Sequence, residues 1–141
     1  MERALVVLLV GAVVAAVAAW LRWRERRVRA HVHVPGGPAV IAFTHRLCAP
    51  CRSQQLPALK RLQELVDSRV RVEVVDVERD PHLARRFGVF TVPSTVVVGP
   101  DGRVVAFNHG FADEARLLRQ LGRTAPEGVP DLLRKPGPEV T

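Results

Sequence analysis

The chain contains little cysteine. Only Cys48 and Cys51 are present among 141 residues, and tyrosine is absent. Two cysteines are too few for a disulfide-built scaffold, and they fall short of the four ligands of a structural zinc site. Hydrophobic residues make up 48% of the chain, which is enough for a real core in one domain. The cysteines are therefore candidates for chemistry rather than for architecture.

The positive charge is concentrated near the N-terminus. Of the net charge of +7, residues 1–37 contribute +4 (six arginines against Glu2 and Glu25), and residues 38–141 contribute +3 (15 basic against 12 acidic groups). A nucleic-acid-binding surface requires a basic face interleaved with aromatic residues, and the sequence shows none. We therefore expect no nucleic-acid partner.

Residues 4–21 carry no charged side chain. As a helix they would extend ~27 Å, enough to cross a thin bilayer. Trp20 and Trp23, at the end of this segment, lie at the level expected for the membrane interface, among and before several arginines. The pattern predicts a single-pass cell-membrane protein, with an anchor in residues 1–23 and a basic juxtamembrane linker in residues 24–38.

Two alternatives concern this segment. A cleaved signal peptide could use the small residues 16–18, but the five arginines at positions 22, 24, 26, 27 and 29 would resist export. A retained anchor is therefore favoured. Five arginines after the helix against one before it favour a cytoplasmic soluble domain, with an extracytoplasmic domain as the alternative.

Strand and helix patterns alternate after residue 38. We predict strands at 39–44, 70–77, 95–98 and 103–107, and helices at 50–66, 81–87 and 114–121. The first two strands, joined by a helix, should be parallel, and the final hairpin adds an antiparallel edge. The fold class is α/β, with a mixed sheet flanked by helices over residues 39–122. Residues 123–141 are rich in Pro and Gly and predict a flexible tail.

Residues 39–121 resemble the thioredoxin family. The resemblance depends on the Cys48-Ala49-Pro50-Cys51 motif at a strand-to-helix junction, on segments 76–81 and 87–95, and on the turn at 99–103. It implies a thioredoxin-like fold, here preceded by one transmembrane helix. It also implies a thiol–disulfide oxidoreductase that uses a redox-active disulfide and no bound cofactor. Its partners would be disulfide-bearing protein substrates and an electron donor that the sequence does not identify.

The family pattern assigns roles to both cysteines. Cys48, placed at a helix start, would be the nucleophile, because unpaired N–H groups there favour a thiolate. Cys51 would be the resolving thiol that attacks the mixed disulfide. Pro50 would fix the backbone so that the helix begins at the pair.

The same resemblance implies a substrate groove. Pro93, in the Val92-Pro93-Ser94 tripeptide, would take the cis peptide bond and lie beside the cysteines. Val92 would offer its main chain to an extended substrate peptide, and Ala49 and Pro50 would line the groove with it.

Several positions depart from the family. Leu47 stands where a Trp is usual, Ala42 where a buried Asp is usual, and Val74 where a buried Lys is usual. Without that Asp, the proton of Cys51 needs another route, and His45 is a candidate proton relay. Pro57 lies one residue further from Cys51 than the helix proline of the family, which predicts a one-residue insertion or local bulge.

Three functions remain open. The Ala-Pro pair between the cysteines is closer to the reducing members of the family, which favours a membrane-tethered reductase. An extracytoplasmic reductase for cytochrome c maturation would also fit the anchor. A Cu(I)-binding chaperone on the same fold is a third possibility, but such proteins typically have three residues between the cysteines. We therefore expect no metal.

Overall fold

The computed structural model describes residues 1–123, with the backbone alone at residues 25 and 28–31. Residues 124–141, which hold most of the predicted tail, lie outside the described residues. The chain begins with α1, Glu2–His31, a helix of 30 residues. Its segment Glu2–Arg24 is long and apolar enough to cross a membrane, and none of its apolar window is buried against the protein.

Four strands form one mixed sheet, as predicted. The strands are β1 (Ala39–Thr44), β2 (Arg71–Asp76), β3 (Ser94–Val98) and β4 (Val104–His109). Their order is β2-β1-β3-β4. The pair β1 and β2 is parallel, whereas β3 is antiparallel to both of its neighbours.

Helices cover both faces of the sheet. A π-helical turn at Cys51–Gln55 leads into α2 (Leu56–Val66), followed by a 3₁₀ turn at Asp67–Arg69. The later helices are α3 (Pro81–Arg86) and α4 (Glu114–Gly122), and their N-caps are Asp80 and Asp113. Each cap carboxylate accepts a backbone hydrogen bond within its first turn, which satisfies an otherwise unpaired N–H.

The core has two parts, one on each face of the sheet. On one face Val40 and Ala42 pack against α2 and α4. On the other, Ile41 and Phe43 pack against α3 and the loop after it. All six residues of β1 are buried because helices cover both of its faces, which explains its continuous apolar sequence.

The segment predicted as a linker is ordered and partly docked, so that interpretation requires correction. Helix α1 continues to His31, and the next residue, Val32, is buried in the core. His33 then forms a β-bridge with Arg103, and the Val34 N–H donates to the Gly102 carbonyl over 2.9 Å. The folded unit thus begins at Val32, seven residues before the predicted boundary.

Gly102 is required by this docking. Its φ of +79° lies in the left-handed region, and a Cβ there would lie 2.6 Å from the Val34 carbonyl oxygen. Any larger residue would push the docked segment away from the turn between β3 and β4.

Candidate active site

The two cysteines lie where β1 gives way to helix, four residues after the strand ends. Cys48 and Cys51 form a disulfide, with Cα atoms 5.3 Å apart. Cys48 is half-buried, whereas Cys51 is only 1% exposed. The Cys51 N–H points at the Cys48 Sγ over 3.2 Å. A donor therefore already faces the more accessible sulfur, where it would stabilise negative charge after reduction.

The helix after the pair contains one extra residue. The turn Cys51–Gln55 is π-helical, and the Leu56 N–H bonds to the carbonyl of Cys51, five residues earlier. This turn accommodates the insertion that the displaced Pro57 predicts. The predicted local bulge is confirmed, and α2 beyond it keeps its apolar face on the sheet.

The Val92–Pro93 segment reaches the same end of the sheet. Its peptide bond is cis. Ser94, the next residue, pairs with Phe43 in the register of β3 on β1, close to the start of the cysteine loop. The Pro93 carbonyl accepts the Gly110 N–H over 2.8 Å. Val92 is half-buried here, while Ala49 and Pro50 are exposed on the cysteine loop.

Gln55 positions this end of the molecule, and sequence reasoning missed it. The side chain is fully buried, its Nε2 donates to the Ala112 carbonyl, and its Oε1 accepts the Ala112 N–H, both over 3.0 Å. The turn that carries Cys51 is thereby fixed to the loop after β4. A glutamine in an apparently amphipathic helix gives no sign of this role in the sequence.

The charges beside Cys48 form a small network centred on Glu78. Its carboxylate lies 2.9 Å from Arg46 Nε and 3.3 Å from His45 Nε2. The other ring nitrogen of His45 accepts the Leu47 N–H over 3.1 Å. Both ring nitrogens of His45 thus have partners other than Cys51. From the sequence, Glu78 is interpreted only as an ordinary strand-end acid.

Three large apolar side chains in the segments that carry the site face solvent, and we call them the apolar rim. They are Leu47, Phe90 and Phe111, which are 77%, 73% and 41% exposed. Leu47 precedes Cys48, Phe90 lies three residues before Pro93, and Phe111 follows Gly110. Such a group of exposed apolar residues is typical of an interaction surface.

The floor of the site lacks the charges usual in the family. Ala42 is fully buried, and Val74 is its cross-strand partner in the register of β1 on β2. Val74 is 51% exposed, so this position is not the buried one that the resemblance implies. The reason is that β2 is the outer strand of the sheet, and its side chains border solvent.

Among the side chains that the structure describes, those of residues 1–123 other than 25 and 28–31, no group of three or more His, Cys, Asp or Glu is arranged to hold a metal ion.

Comparison with known proteins shows the family. The thioredoxin family model matches residues 23–123, and the chain belongs to the thioredoxin family. It is 30% identical to the thioredoxin of Mycobacterium bovis over 89 residues, which covers 63% of this chain and 75% of that protein. It is 30% identical to the thioredoxin of Bacillus subtilis over 87 residues, covering 62% and 82%.

Solved structures agree on the fold. Thioredoxin-2 of the malaria parasite superimposes with a TM-score of 0.57 at 22% identity, covering 62% of this chain and 82% of that one. A thioredoxin from Halobacterium salinarum gives 0.55 at 27% identity, covering 63% and 75%. With the Cys48–Cys51 disulfide in this fold, the protein is a thiol–disulfide oxidoreductase. The family acts on disulfide-bearing protein substrates without a cofactor.

Proposed function

We propose that this protein is a membrane-tethered reductase of protein disulfides. The observation that carries the proposal is the asymmetry of the cysteine pair. Cys48 is the accessible sulfur and has the Cys51 N–H directed at it, whereas Cys51 is buried. This arrangement suits Cys48 as the nucleophile and Cys51 as the resolving thiol.

The proposed exchange has two steps. The Cys48 thiolate attacks one sulfur of the target disulfide, forms a mixed disulfide and releases the first target thiolate. Cys51, after losing its proton, attacks the Cys48 sulfur and releases the second target thiolate. Two electrons pass from the cysteine pair to the target, and the Cys48–Cys51 disulfide remains.

A dithiol donor must then reduce the pair again. One relative, from Mycobacterium leprae, is named a bifunctional thioredoxin reductase/thioredoxin. This supports a donor of the thioredoxin reductase kind for a cytoplasmic domain. Incubation of the oxidised protein with such a reductase and its reductant should expose two alkylatable thiols.

The substrate groove is proposed between the cysteine loop and the Val92–Pro93 segment. Proline offers no N–H at this position, and Val92 has a free main chain to pair with an extended peptide. Ala49 and Pro50, exposed beside Cys48, would contact the residues that flank the target disulfide.

His45 remains a proposed proton relay for Cys51. For this role the ring would have to leave either Glu78 or the Leu47 N–H, since each holds one ring nitrogen. The His45→Gln variant tests it. If His45 is the relay, release of the mixed disulfide slows while alkylation of Cys48 is unchanged.

Insulin reduction with dithiothreitol tests the reductase proposal. The wild-type domain should reduce insulin, and Cys48→Ser should abolish the reaction. Cys51→Ser should instead trap a mixed disulfide with the target. A copper stoichiometry near one per purified domain, together with no insulin reduction, would favour a Cu(I)-binding protein instead.

The tether and its orientation require an experiment in cells. A membrane-impermeant thiol reagent should label Cys48 only after lysis if the domain is cytoplasmic, as the five arginines after the uncharged segment at 4–21 suggest. Labelling in intact cells would instead favour an extracytoplasmic reductase, such as one that serves cytochrome c maturation. Release of the protein by carbonate washing would contradict the tether.

A further inference from the structure

Arg24 connects the N-terminal helix to the apolar rim. Its guanidinium lies 5.1 Å from the centre of the Phe90 ring and 5.7 Å from the centre of the Trp20 ring. Both distances are within the range of a cation–π interaction. Because Phe90 is three residues from Pro93, the helix contacts the domain beside the redox site.

A second contact between the N-terminal segment and the domain lies at the opposite end of the sheet. His33 bridges to Arg103 and its Nε2 lies 3.1 Å from the Asp101 carbonyl oxygen, in the turn that joins β3 to β4. That turn follows the end of β3 that is distant from Ser94 and the cysteines. Arg24 of α1 therefore contacts the domain at the redox end, and His33, just after the helix, contacts it at the far end.

The lengths agree with this path. From Arg24 to His31 the helix advances ~10 Å, and β3 from Ser94 to Val98 extends ~13 Å. Only Val32 separates the last helical residue from the bridge at His33. The domain therefore lies alongside the polar end of the helix, with its redox end directed toward the apolar segment.

The level of the bilayer surface on this helix is marked by Trp20 and Trp23. Both indoles are about half exposed, and Arg24 and Arg27 lie over them. Tryptophan and arginine side chains at the end of an apolar helix sit among the lipid headgroups. Phe90 shares Arg24 with Trp20, so it lies at the same level.

We propose that the apolar rim, through Phe90, rests on the bilayer surface, so that the redox site faces the membrane rather than the aqueous compartment. The apolar rim would contact the headgroup region of the bilayer, the same region that surrounds Trp20 and Trp23 of the helix. Exchange would then be directed to disulfides presented at the membrane surface. This inference depends on the proposed tether, but not on the direction of electron flow.

The test places a single tryptophan in the full chain. Trp20→Phe and Trp23→Phe remove both native indoles, and Phe90→Trp adds one at the rim. The matched control carries Arg103→Trp at the far end, where that side chain is largely exposed. Each protein is reconstituted into phosphatidylcholine–phosphatidylglycerol vesicles, with and without brominated acyl chains, and tryptophan fluorescence is measured.

We expect brominated lipid to quench the tryptophan at position 90 strongly and the one at position 103 hardly at all. Equal, weak quenching at both positions would overturn the inference, and would leave the rim to a protein partner. A third protein, which retains only Trp20, separates this result from failure of the tether. If Trp20 is also unquenched, the helix is not inserted, and both proposals fail together.

A second variant tests whether Arg24 holds the apolar rim at the bilayer surface. Arg24→Ala in a protein with tryptophan at position 90 should weaken the quenching, while a Trp20-only protein with Arg24→Ala should remain quenched. Unchanged quenching at position 90 would show that Arg24 does not hold the rim at the surface. Insulin reduction, measured on the same vesicles, reports separately on the redox chemistry.

Discussion

The cysteine pair lies between two regions of opposite character. Beneath it, the floor around Ala42 is apolar and contains no charge where the family usually has a buried carboxylate. Beside it, at the surface, Glu78 holds both His45 and Arg46. The difference shows that charged side chains near the cysteines lie at the surface, where water screens them and each charge costs little to keep, and not in the core.

Introducing a carboxylate at the buried position of Ala42 should give the largest loss of stability. Ala42→Asp places an unpaired charge at a fully buried position, and we expect a loss of about 3–5 kcal/mol in the free energy of unfolding. Urea denaturation at neutral pH measures it.

The matched control for this change uses the cross-strand neighbour. Val74→Lys alone should be nearly neutral, since the position is exposed and its side chain can reach water. Combined with Ala42→Asp it should recover part of the loss, because the two positions are directly paired. Strictly additive effects would contradict a direct interaction between the two side chains.

Loss of the Gln55 hydrogen bonds, which fix the turn carrying Cys51 to the loop after β4, should give the next largest loss of stability. Gln55→Leu keeps the volume but leaves the buried N–H and C=O of Ala112 without their partner. We expect a loss of about 2–4 kcal/mol by urea denaturation, with faster hydrogen exchange at residues 110–112. Gln54→Leu, one residue earlier and exposed, is the control. Equal effects of the two changes would refute a specific role for Gln55.

At the surface, removing one charge should change reactivity without changing stability. Glu78→Gln removes the negative charge that contacts Arg46 and His45, two and three residues before Cys48, so the Cys48 thiolate is favoured. We expect the reduced protein to be alkylated at Cys48 about twofold faster near neutral pH. Glu73→Gln, which affects an ion pair with Arg71 on the outer strand, should leave the rate unchanged. Slower alkylation of Cys48 in Glu78→Gln would contradict the expectation that the Glu78 charge disfavours the thiolate.

A surface ion pair remote from the cysteines should make the smallest contribution to stability, and it serves as the reference for the other changes. The Arg61 guanidinium donates to both Glu114 oxygens over 2.8 and 3.2 Å, which joins α2 to α4. This hydrogen bond holds the pKa of Glu114 below its ordinary value of 4.5 and raises the pKa of Arg61. Because the folded pKa of Glu114 is lowered, its contribution to stability is present above the unfolded-state pKa and lost as pH falls through the folded pKa.

The corresponding variant is Glu114→Gln. Its melting temperature should lie a few degrees at most below that of the wild type at neutral pH, since exposed pairs contribute little. The difference should shrink as the pH falls through the lowered pKa of Glu114. A difference that persists in acid would assign the effect to helix packing rather than to charge.

Most of the sheet could be predicted from sequence because its signals are local. The apolar run at Ala39–Thr44, the Asp80 and Asp113 caps and the turn before β4 each constrain a few adjacent residues. The insertion after Cys51 was also predictable, from the displaced Pro57. The strands, caps and turn depend on backbone propensity and periodicity, which a single sequence displays directly, whereas the insertion became visible only against the family pattern.

The parts that escaped prediction depend on distant contacts. Gln55 forms hydrogen bonds with Ala112, 57 residues later in the chain, and Glu78 forms an ion pair with Arg46 in another segment. Neither contact produces a local sequence pattern. The docking of Val32 was missed because a short basic stretch after an apolar helix is typical of a free linker. Val74 was placed in the core because the resemblance aligns it with a buried lysine, whereas β2 is the outer strand of this sheet and Val74 is exposed.

The π turn at Cys51–Gln55 has a consequence for how the chain tolerates changes in length. It holds a surplus residue in a single wide turn, so removal of exposed Ser53 should convert the turn to ordinary α-helix while the residues on either side keep their faces. Deleting a residue within α2, such as Gln63, would rotate the rest of the helix by about 100° and break its contact with the sheet. The helix should thus tolerate the loss of a residue within this turn far better than within α2.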